Sequence, residues 1–435
     1  MNPKKMLYII LILTFSSAFF IWSWGISSLG VELEGGRLNQ YTSKVLIMTA
    51  VSLMALNFLL ATRLKLVENV FGGLDKSYKV HSELGKYSFV LILAHPILLS
   101  ISALGTAAFA RYYLPSSLIA YNLGLGALWL FVLLIALSVL KLLPYHLWKL
   151  THKIMGLPMI LAFLHAILIE SYISPFVPFQ IWVYGWFAVG IVSYLYKELV
   201  YPLLQNKHYV VDGVRLLGDI TEYWLKPVRE GKGISQPSAG KFVFVKITGN
   251  KQISNEEHPY SISAVDGERI RISTKALGDH SKKMQALQAG DKAIIRGQHG
   301  FFSASHPRST QKQIWLAGGV GVTPFLGMLD SQHLQGQNVQ MFYATKVETE
   351  AVYDQEVSQK AGALPNVKLH KHYSDANGFM SAQWIMEQAG IKPEDLPKVS
   401  ILQCGPPGMM KALENQFLKL GALKKHIIYE EFSFN

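Results

Sequence analysis

The chain has 435 residues, a formal net charge of +12 and a hydrophobic content of 50%, which fits a membrane half followed by a globular half. The basic residues are spread along the sequence without a clustered stripe, which argues against a nucleic-acid partner. The single cysteine, Cys404, excludes an internal disulfide framework and a cysteine-ligated iron–sulfur cluster.

Long apolar runs occupy the first part of the chain and are long enough to span a bilayer. Six such runs are found, at about 6–27, 44–62, 80–105, 119–143, 152–172 and 180–197. We interpret the first run as a retained span, since no clean cleavage site comes after it. Lysine and arginine concentrate in the loops on one side, which predicts a multi-pass protein of the cell (inner) membrane with both termini in the cytoplasm.

The third and fifth runs share a histidine pattern. Each begins with a histidine, has a glycine four residues later, and carries a second histidine deep in the apolar run; the histidines are His81, His95, His152 and His165, and the glycines are Gly85 and Gly156. An imidazole inside a hydrocarbon span is costly, and ligation of a haem iron is one reason to keep it there. A role in helix capping or in hydrogen bonds between spans is the alternative.

The histidine spacing predicts two levels of ligand in the membrane. Fourteen residues separate His81 from His95, a rise of about 20 Å in a helix. Because spans three and five run in the same direction, we expect His81 to pair with His152 near the cytoplasmic face and His95 to pair with His165 further out. The glycines would let a flat porphyrin approach, and Pro158 would bend span five to bring its two histidines onto one face.

The periodicity changes at about residue 205, and short β-like runs separated by turns replace the long apolar runs. The runs Lys241–Ile247 and Arg269–Thr274 are typical. A strand, turn and helix pattern comes next, with helices expected to start near Thr323, Ser381 and Gly408. The predicted fold is an α-helical six-span membrane bundle (1–205), an antiparallel β-barrel flavin domain (206–309) and an α/β nucleotide-binding domain with a parallel sheet (310–435).

Two segments of the β domain suit a flavin. In the first, Tyr260 would pack on the isoalloxazine and Ser261 would hydrogen-bond to it; in the second, a glycine turn and a serine would face a pyrophosphate. Ordinary strand alternation and a plain helix cap are the alternatives for the two segments. The candidate flavin contacts are His258, Pro259, Tyr260, Ser261, Ser263, Lys275, Gly278, Asp279 and Ser281.

Two strand-to-helix junctions of the last domain suit a nicotinamide nucleotide, because ligands bind at the carboxyl ends of parallel strands. The candidate contacts are Gly318, Gly319, Val320, Gly321, Thr323, Pro324, Gly405 and Pro406. We expect Cys404 to lie where nicotinamide meets flavin, with burial as a small apolar residue as the alternative. Phe432 would stack over the flavin, or else belong to a last buried strand.

Together these motifs resemble the ferric reductase and NADPH oxidase superfamily over nearly the whole chain. The resemblance rests on the two histidine pairs, on HPYSIS (258–263) and KALGDHS (275–281) as flavin motifs, and on GGVGVTP (318–324) and CGPPG (404–408) as nucleotide motifs. It implies FAD rather than FMN, and two haems b. Two departures are His258 in place of the arginine of soluble reductases, and Gly297–Gly300 (GQHG) in place of G-P-Y-G.

The activity implied is hydride transfer from cytoplasmic NADPH or NADH to FAD, followed by single-electron steps through two haems to an acceptor across the lipid bilayer. The acceptor is left open between ferric iron, as in a ferric-chelate reductase, and dioxygen, as in an NADPH oxidase. Supply of electrons to a partner redox protein is the alternative function. Lys346 is a candidate contact for a 2′-phosphate, and the oligomeric state is not predicted.

Overall fold

The structure is a computed structural model that divides into two compact units, Met1–Leu204 and Gln205–Asn435. The predicted boundary between the flavin and nucleotide domains lies inside the second unit and stays a prediction. The residues that the structure describes are 3–106, 108–140, 142–170, 174–238, 240–306, 309–330, 334 and 336–430.

The described residues of the first unit form helices joined by turns and loops. Six segments are long and apolar enough to cross a membrane, and they overlap the six predicted runs: Pro3–Ser28, Gly35–Ala61, Leu74–Ile101, Ile119–Val139, Tyr145–Leu168 and Val177–Gln205. The helices are α1 (Pro3–Ser28), α2 (Leu38–Ala61), α3 (Lys65–Phe71), α4 (Leu74–Ile101), α5 (Ile119–Val139), α6 (Tyr145–Lys153), α7 (Gly156–Leu168), α8 (Val177–Leu195) and α9 (Tyr201–Gln205). The chain is a multi-pass membrane protein.

The fifth span is interrupted rather than bent. Helix α6 ends at Lys153 and α7 begins at Gly156. Pro158 has no N–H to donate to the carbonyl of Ile154, and the N–H of Leu157 donates to that carbonyl instead at 2.8 Å. This tighter turn interrupts the α-helix directly after Lys153. Pro158 thus lies just after a break between two helices, and the bend predicted for it stays a prediction.

The second unit begins with an antiparallel sheet of seven strands. The strands are β1 (Lys207–Leu217), β2 (Ile220–Pro227), β3 (Phe242–Thr248), β4 (Glu257–Ser261), β5 (Ala264–Asp266), β6 (Arg269–Lys275) and β7 (Lys292–His299). Their order in the sheet is β4-β3-β7-β1-β2-β6-β5. The short helix α10 (Asp279–Met284) comes after β6. The antiparallel β domain predicted from the turn-rich sequence is confirmed.

A parallel sheet of five strands completes the same unit. Its strands are β8 (Lys312–Gly318), β9 (Asn338–Thr345), β10 (Val367–Tyr373), β11 (Val399–Cys404) and β12 (Ile427–Tyr429), and its helices are α11 (Thr323–Leu329), α12 (Asp354–Gly362), α13 (Ser374–Asn377), α14 (Ala382–Ala389) and α15 (Pro407–Lys419). The strand order β10-β9-β8-β11-β12 reverses direction between β8 and β11. Ligands of such sheets bind at the carboxyl ends of the strands on either side of this reversal.

Buried polar contacts join the two sheets of the second unit. Arg271 of β6 donates two hydrogen bonds to Glu356 of α12, at 3.0 and 2.7 Å, and also pairs with Glu222 of β2 at 3.2 Å. The hydroxyl of Tyr353 donates to Ser273 at 2.7 Å. Because Arg271 and Glu222 are buried, these bonds fix β2 and β6 of the antiparallel sheet against α12 of the parallel-sheet region.

Candidate haem, flavin and nucleotide sites

The first histidine pair, His81 of α4 and His152 of α6, is brought together in the membrane unit. Their ring centroids lie 6.1 Å apart and the ring planes are inclined by 67°. The carbonyl of Asn57 lies 3.0 Å from Nδ1 of His81, and the hydroxyl of Ser138 lies 3.4 Å from Nδ1 of His152. Each ring is therefore oriented through Nδ1, which leaves Nε2 for a ligand.

The second pair, His95 of α4 and His165 of α7, shows the same arrangement. The hydroxyl of Ser43 lies 2.7 Å from Nδ1 of His95, and the carbonyl of Ala120 lies 2.7 Å from Nδ1 of His165. The two rings are close enough to interact electrostatically. An interrupted fifth span thus places both of its histidines beside those of the uninterrupted α4.

The geometry of both pairs fits ligation of a metal ion. Metal-ligating histidines usually donate the N–H of their second nitrogen to a carbonyl or a similar acceptor, and all four rings have such a group within reach of Nδ1. Two imidazoles on opposite sides of one ion, with metal–nitrogen distances of ~2.0–2.1 Å, have ring centroids roughly 6 Å apart. The first pair matches this separation, so the residues present fit a bis-histidine haem.

The two repeat glycines lie against protein side chains, and the approach of a porphyrin to them stays a prediction. A Cβ on Gly156 would collide with the ring of Tyr194, and one on Gly85 would lie 3.3 Å from the amide nitrogen of Asn57. Both glycines therefore make room for protein side chains. A glycine that contacts one of the four intramembrane histidines is Gly124 of α5, where a Cβ would meet Nδ1 of His165 at 2.9 Å. It lies outside the repeat and was not predicted.

A lysine also lies at the second pair and was not predicted. Lys44 is half-buried in the second span and interacts electrostatically with both His95 and His165. No hydrogen bond or ion pair joins it to any other residue that the structure describes. An ionisable side chain inside a membrane span usually indicates a functional site. Lys44 therefore indicates a polar site in the membrane beside His95 and His165.

The two predicted flavin segments meet through a pair of histidines. The ring of His258 on β4 stacks on the ring of His280, the second residue of α10, with centroids 4.0 Å apart. Nε2 of His258 lies 2.8 Å from the carboxylate of Glu256. Partial burial opposes ionisation of Glu256, but hydrogen bonds from Ser254 and His258 outweigh it and lower the pKa of this carboxyl. The cluster therefore carries an anionic carboxylate at neutral pH.

Tyr260, Ser261 and Ser263 of the first flavin segment differ in burial and in their hydrogen-bond partners. Tyr260 is half-buried, and burial raises the pKa of its phenol. Ser261 donates a hydrogen bond to the carboxylate of Glu430 at 3.1 Å. Ser263 is fully buried, donates to the carbonyl of Arg271 and accepts from its guanidinium at 3.0 Å. Ser263 is thus engaged within the protein, and Pro259 is half-buried beside Tyr260.

In the second flavin segment the hydroxyl of Ser281 accepts hydrogen bonds from the N–H groups of Leu277 and Gly278 at 3.0 and 2.9 Å. These bonds close the turn before α10, as in a plain helix cap. Lys275 pairs with Asp219 at 3.1 Å, and Asp279 is exposed. The backbone of this turn remains the part of the segment that suits a phosphate.

The two nucleotide motifs touch each other at the strand-order reversal. A Cβ on Gly321 would collide with the carbonyl of Cys404, and one on Gly318 would lie 2.7 Å from the ring of Pro406. Gly319 takes a φ of +54°, which favours glycine. The remaining candidates lie in the same turn: Val320 is half-buried, Thr323 and Pro324 are buried in α11, and Gly405 lies against Gly318.

Cys404 ends β11 with its thiol buried, and burial, followed by the nearby carboxylate of Glu430, raises the thiol pKa well above its ordinary value. Because Glu430 also accepts the hydrogen bond from Ser261, it links the flavin segment to the nucleotide segment. Phe432 lies outside the described residues. Lys346 comes after β9 and is exposed at the carboxyl end of the strand next to β8.

Comparison with protein families identifies two parts of the chain. The family described as ferric reductase like transmembrane component matches residues 46–164, which include His81, His95 and His152 and end one residue before His165. The family described as oxidoreductase NAD-binding domain matches residues 315–415, which include both nucleotide motifs.

The curated relatives that match this chain cover about half of it. Flavohemoprotein A of Dictyostelium discoideum is 26% identical over 52% of this chain, and the carnitine monooxygenase reductase subunit of Escherichia coli is 24% identical over 47%. The chain spans about 60% of the length of the curated relatives it matches. The crystal structure of flavohemoglobin from Malassezia yamatoensis is 14% identical, with a TM-score of 0.50 over 92% of this chain and 98% of that one, a likeness of fold.

The domain content is that of an NAD(P)H-dependent oxidoreductase with FAD- and NAD-binding regions, and the chain has the architecture of the ferric reductase and NADPH oxidase superfamily.

Proposed function

We propose that the protein carries electrons from cytoplasmic NAD(P)H through FAD and two b-type haems to ferric iron or dioxygen on the other side of the cell membrane. The observation that carries the proposal is the presence of two histidine pairs in one membrane unit, each ring oriented through Nδ1. When bound, the flavin converts a two-electron hydride donor into a source of single electrons, and haem iron accepts them one at a time.

The chain's own residues would perform distinct tasks in this function. His81 and His152 would hold the haem nearer the cytoplasm, and His95 and His165 the haem further out. The direction is argued from the lysines and arginines of the loops, which concentrate on the side that carries the termini. The two histidines of α4 are separated by a rise of about 20 Å along the helix. The two haems that they would hold would therefore extend the electron path across most of an apolar layer of ~30 Å.

The nucleotide would bind where the two glycine motifs meet. The turn from Gly318 to Gly321 exposes backbone at the carboxyl end of β8, and the start of α11 favours a negative charge. The flavin would lie against Tyr260 and Ser261, and the hydrogen bond between Ser261 and Glu430 would hold this serine next to Cys404. NADPH preference over NADH would depend on Lys346 as a contact for a 2′-phosphate.

Lys44 supports a small acceptor at the second pair. Its amine interacts electrostatically with both histidines of this pair and would suit an anionic acceptor, whether an iron chelate or a reduced oxygen species leaving the site. A partner redox protein is the second candidate acceptor, and it predicts saturation by that protein rather than by dioxygen or a ferric chelate.

The test is an anaerobic visible spectrum of the detergent-solubilised protein with FAD and NADPH. We expect reduced b-type haem bands to appear. Loss of these bands on admitting air, with superoxide formed, would identify an oxidase; bands stable in air but bleached by a ferric chelate would identify a ferric reductase. A well-folded, haem-supplied preparation without haem bands would contradict the proposal.

A further inference from the structure

Three side chains at the junction of the two flavin segments have the composition of a transition-metal site. Glu256 precedes β4, His258 lies on β4, and His280 lies in the first turn of α10. One potential ligand atom from each lies within 4.8 Å of the other two. We propose that Glu256, His258 and His280 bind a divalent zinc ion, and that zinc and the flavin exclude each other at this position.

The distances suit a single ion. Four-coordinate zinc takes nitrogen and oxygen ligands at ~2.0–2.2 Å, which places neighbouring ligand atoms a little over 3 Å apart. The carboxylate of Glu256 and Nε2 of His258 are already 2.8 Å apart, so zinc would take the place of the proton they share after a small outward shift. The ring centroids of His258 and His280 lie 4.0 Å apart. His280 thus supplies a third ligand atom within 4.8 Å of the other two.

The surroundings of the cluster hold the ligands in place. The hydroxyl of Ser254 lies 3.1 Å from Nδ1 of His280, and this contact orients the ring. Groups that orient ligands in this way contribute strongly to metal affinity. Two imidazoles with one carboxylate leave a fourth position open, and this donor set selects zinc over magnesium or calcium, which prefer oxygen ligands.

Zinc and the flavin would exclude each other because both would use His258 and His280. His258 and His280 belong to the two segments that we propose for the flavin and its pyrophosphate, so a zinc ion on both rings would block this contact. This second half of the inference rests on the proposed flavin site, whereas the metal site itself rests only on the cluster. Zinc would accordingly inhibit flavin loading.

The test is calorimetric titration of the full-length, detergent-solubilised protein, before flavin is added, with zinc chloride in a non-chelating buffer. We expect one zinc ion per chain with micromolar or tighter affinity, and no binding heat with magnesium chloride. His280→Gln should weaken zinc binding at least about tenfold, and Ser254→Ala about tenfold, since ligand-orienting groups contribute roughly 10- to 100-fold. The matched control His208→Gln, at an exposed histidine of β1, should bind zinc as the wild type does.

Zinc binding that is unchanged in both His280→Gln and Ser254→Ala would overturn the metal site. If His280→Gln does not fold, unchanged zinc binding in Ser254→Ala is sufficient to overturn it. FAD binding is measured separately by quenching of flavin fluorescence. Saturation with FAD should weaken zinc binding at least about tenfold; equal or stronger zinc binding would overturn the exclusion. A protein that binds zinc at the cluster but never binds FAD would contradict the proposed function and leave the metal site standing.

Discussion

Single side chains decide how the imidazole rings of the membrane unit are held. Ser43 and Ser138 approach Nδ1 with hydroxyls, whereas backbone carbonyls of α2 and α5 approach the other two rings. A carbonyl can only accept a hydrogen bond, so His81 and His165 must carry their proton on Nδ1. Their Nε2 atoms are then unprotonated and ready to bind iron.

Gly124 provides a test at this scale. In Gly124→Ala the new Cβ would meet the ring of His165 at 2.9 Å, and the ring would have to move. We expect loss of one of two haems, roughly half of the haem content, since bis-histidine ligation needs both rings. The measurement is haem per chain from the pyridine haemochrome spectrum. Gly126→Ala on the same helix places its Cβ 3.9 Å from Leu161 and should keep full haem content; equal haem loss in both variants would contradict the assignment.

At the scale of secondary-structure elements, the contact between β8 and β11 forms the candidate nucleotide site. In Gly321→Ala the added Cβ would push the turn away from the carbonyl of Cys404. We expect the KM for NADPH to rise at least about tenfold, equal to ~1.4 kcal/mol of binding free energy. The assay is NADPH-dependent reduction of ferricyanide.

Gly362→Ala is the matched control for that change. Gly362 is the last residue of α12 and lies outside both nucleotide motifs, and a Cβ there would meet nothing within 4 Å. The KM for NADPH should be unchanged, and the helix should gain about 0.5–1 kcal/mol because alanine has less backbone freedom to lose. A KM that rises equally in both variants would mean that the junction does not shape the nucleotide site.

The ion pairs between β6 and α12 give a prediction for stability and its pH dependence. Arg271→Met leaves Glu222 and Glu356 without their guanidinium, and we expect a loss of about 3–5 kcal/mol, as for other broken buried pairs. Arg269→Met, on the same strand with a side chain 41% exposed, should cost at most about 1 kcal/mol. The measurement is the temperature at which bound flavin is released.

The sign of the pH effect is set by Glu356. Partial burial favours its neutral form, but Arg271 and Lys360 outweigh burial and lower the pKa of the carboxyl. Its stabilising contribution is complete above the unfolded pKa of about 4.3 and is lost as the pH falls through the lower folded value. The difference between wild type and Arg271→Met should therefore shrink below about pH 4; a constant difference would assign the loss to packing.

At the scale of the whole molecule, the proposed function requires two activities that can be separated. His152→Ala should lower the haem content by roughly half and abolish reduction of dioxygen or ferric chelate, since one of the two histidines that would hold that haem is missing. NADPH-dependent reduction of ferricyanide should remain within about twofold, because hydride transfer to the flavin does not need haem. The control is His146→Ala, an exposed histidine of the same helix. Equal effects in both variants would contradict the electron path.

Features that repeat, or that arise from a local pattern, could be predicted from the sequence alone. Six spans, two classes of sheet and the helix starts near Thr323, Ser381 and Gly408 are indicated by periodicity and turn chemistry, and the histidines stand out because they recur in matched spans. Gly124, Lys44 and Glu430 were not predicted, because their partners are distant in the sequence. Ala120, for example, is 45 residues from His165, and Glu430 is 169 residues from Ser261. Contacts of this kind depend on the tertiary fold and leave no periodic pattern.

The lone thiol has a practical consequence for mapping the topology. Cys404 is the single cysteine of the chain, and it is buried with a raised pKa, so it reacts poorly with maleimides at neutral pH. A cysteine introduced at an exposed loop position would be the preferred labelling site without any prior removal of native thiols. Impermeant maleimides applied to intact cells should then label Glu34→Cys and spare Lys79→Cys if both termini are cytoplasmic. The natural sequence thus serves directly as a template for spin labels and fluorophores.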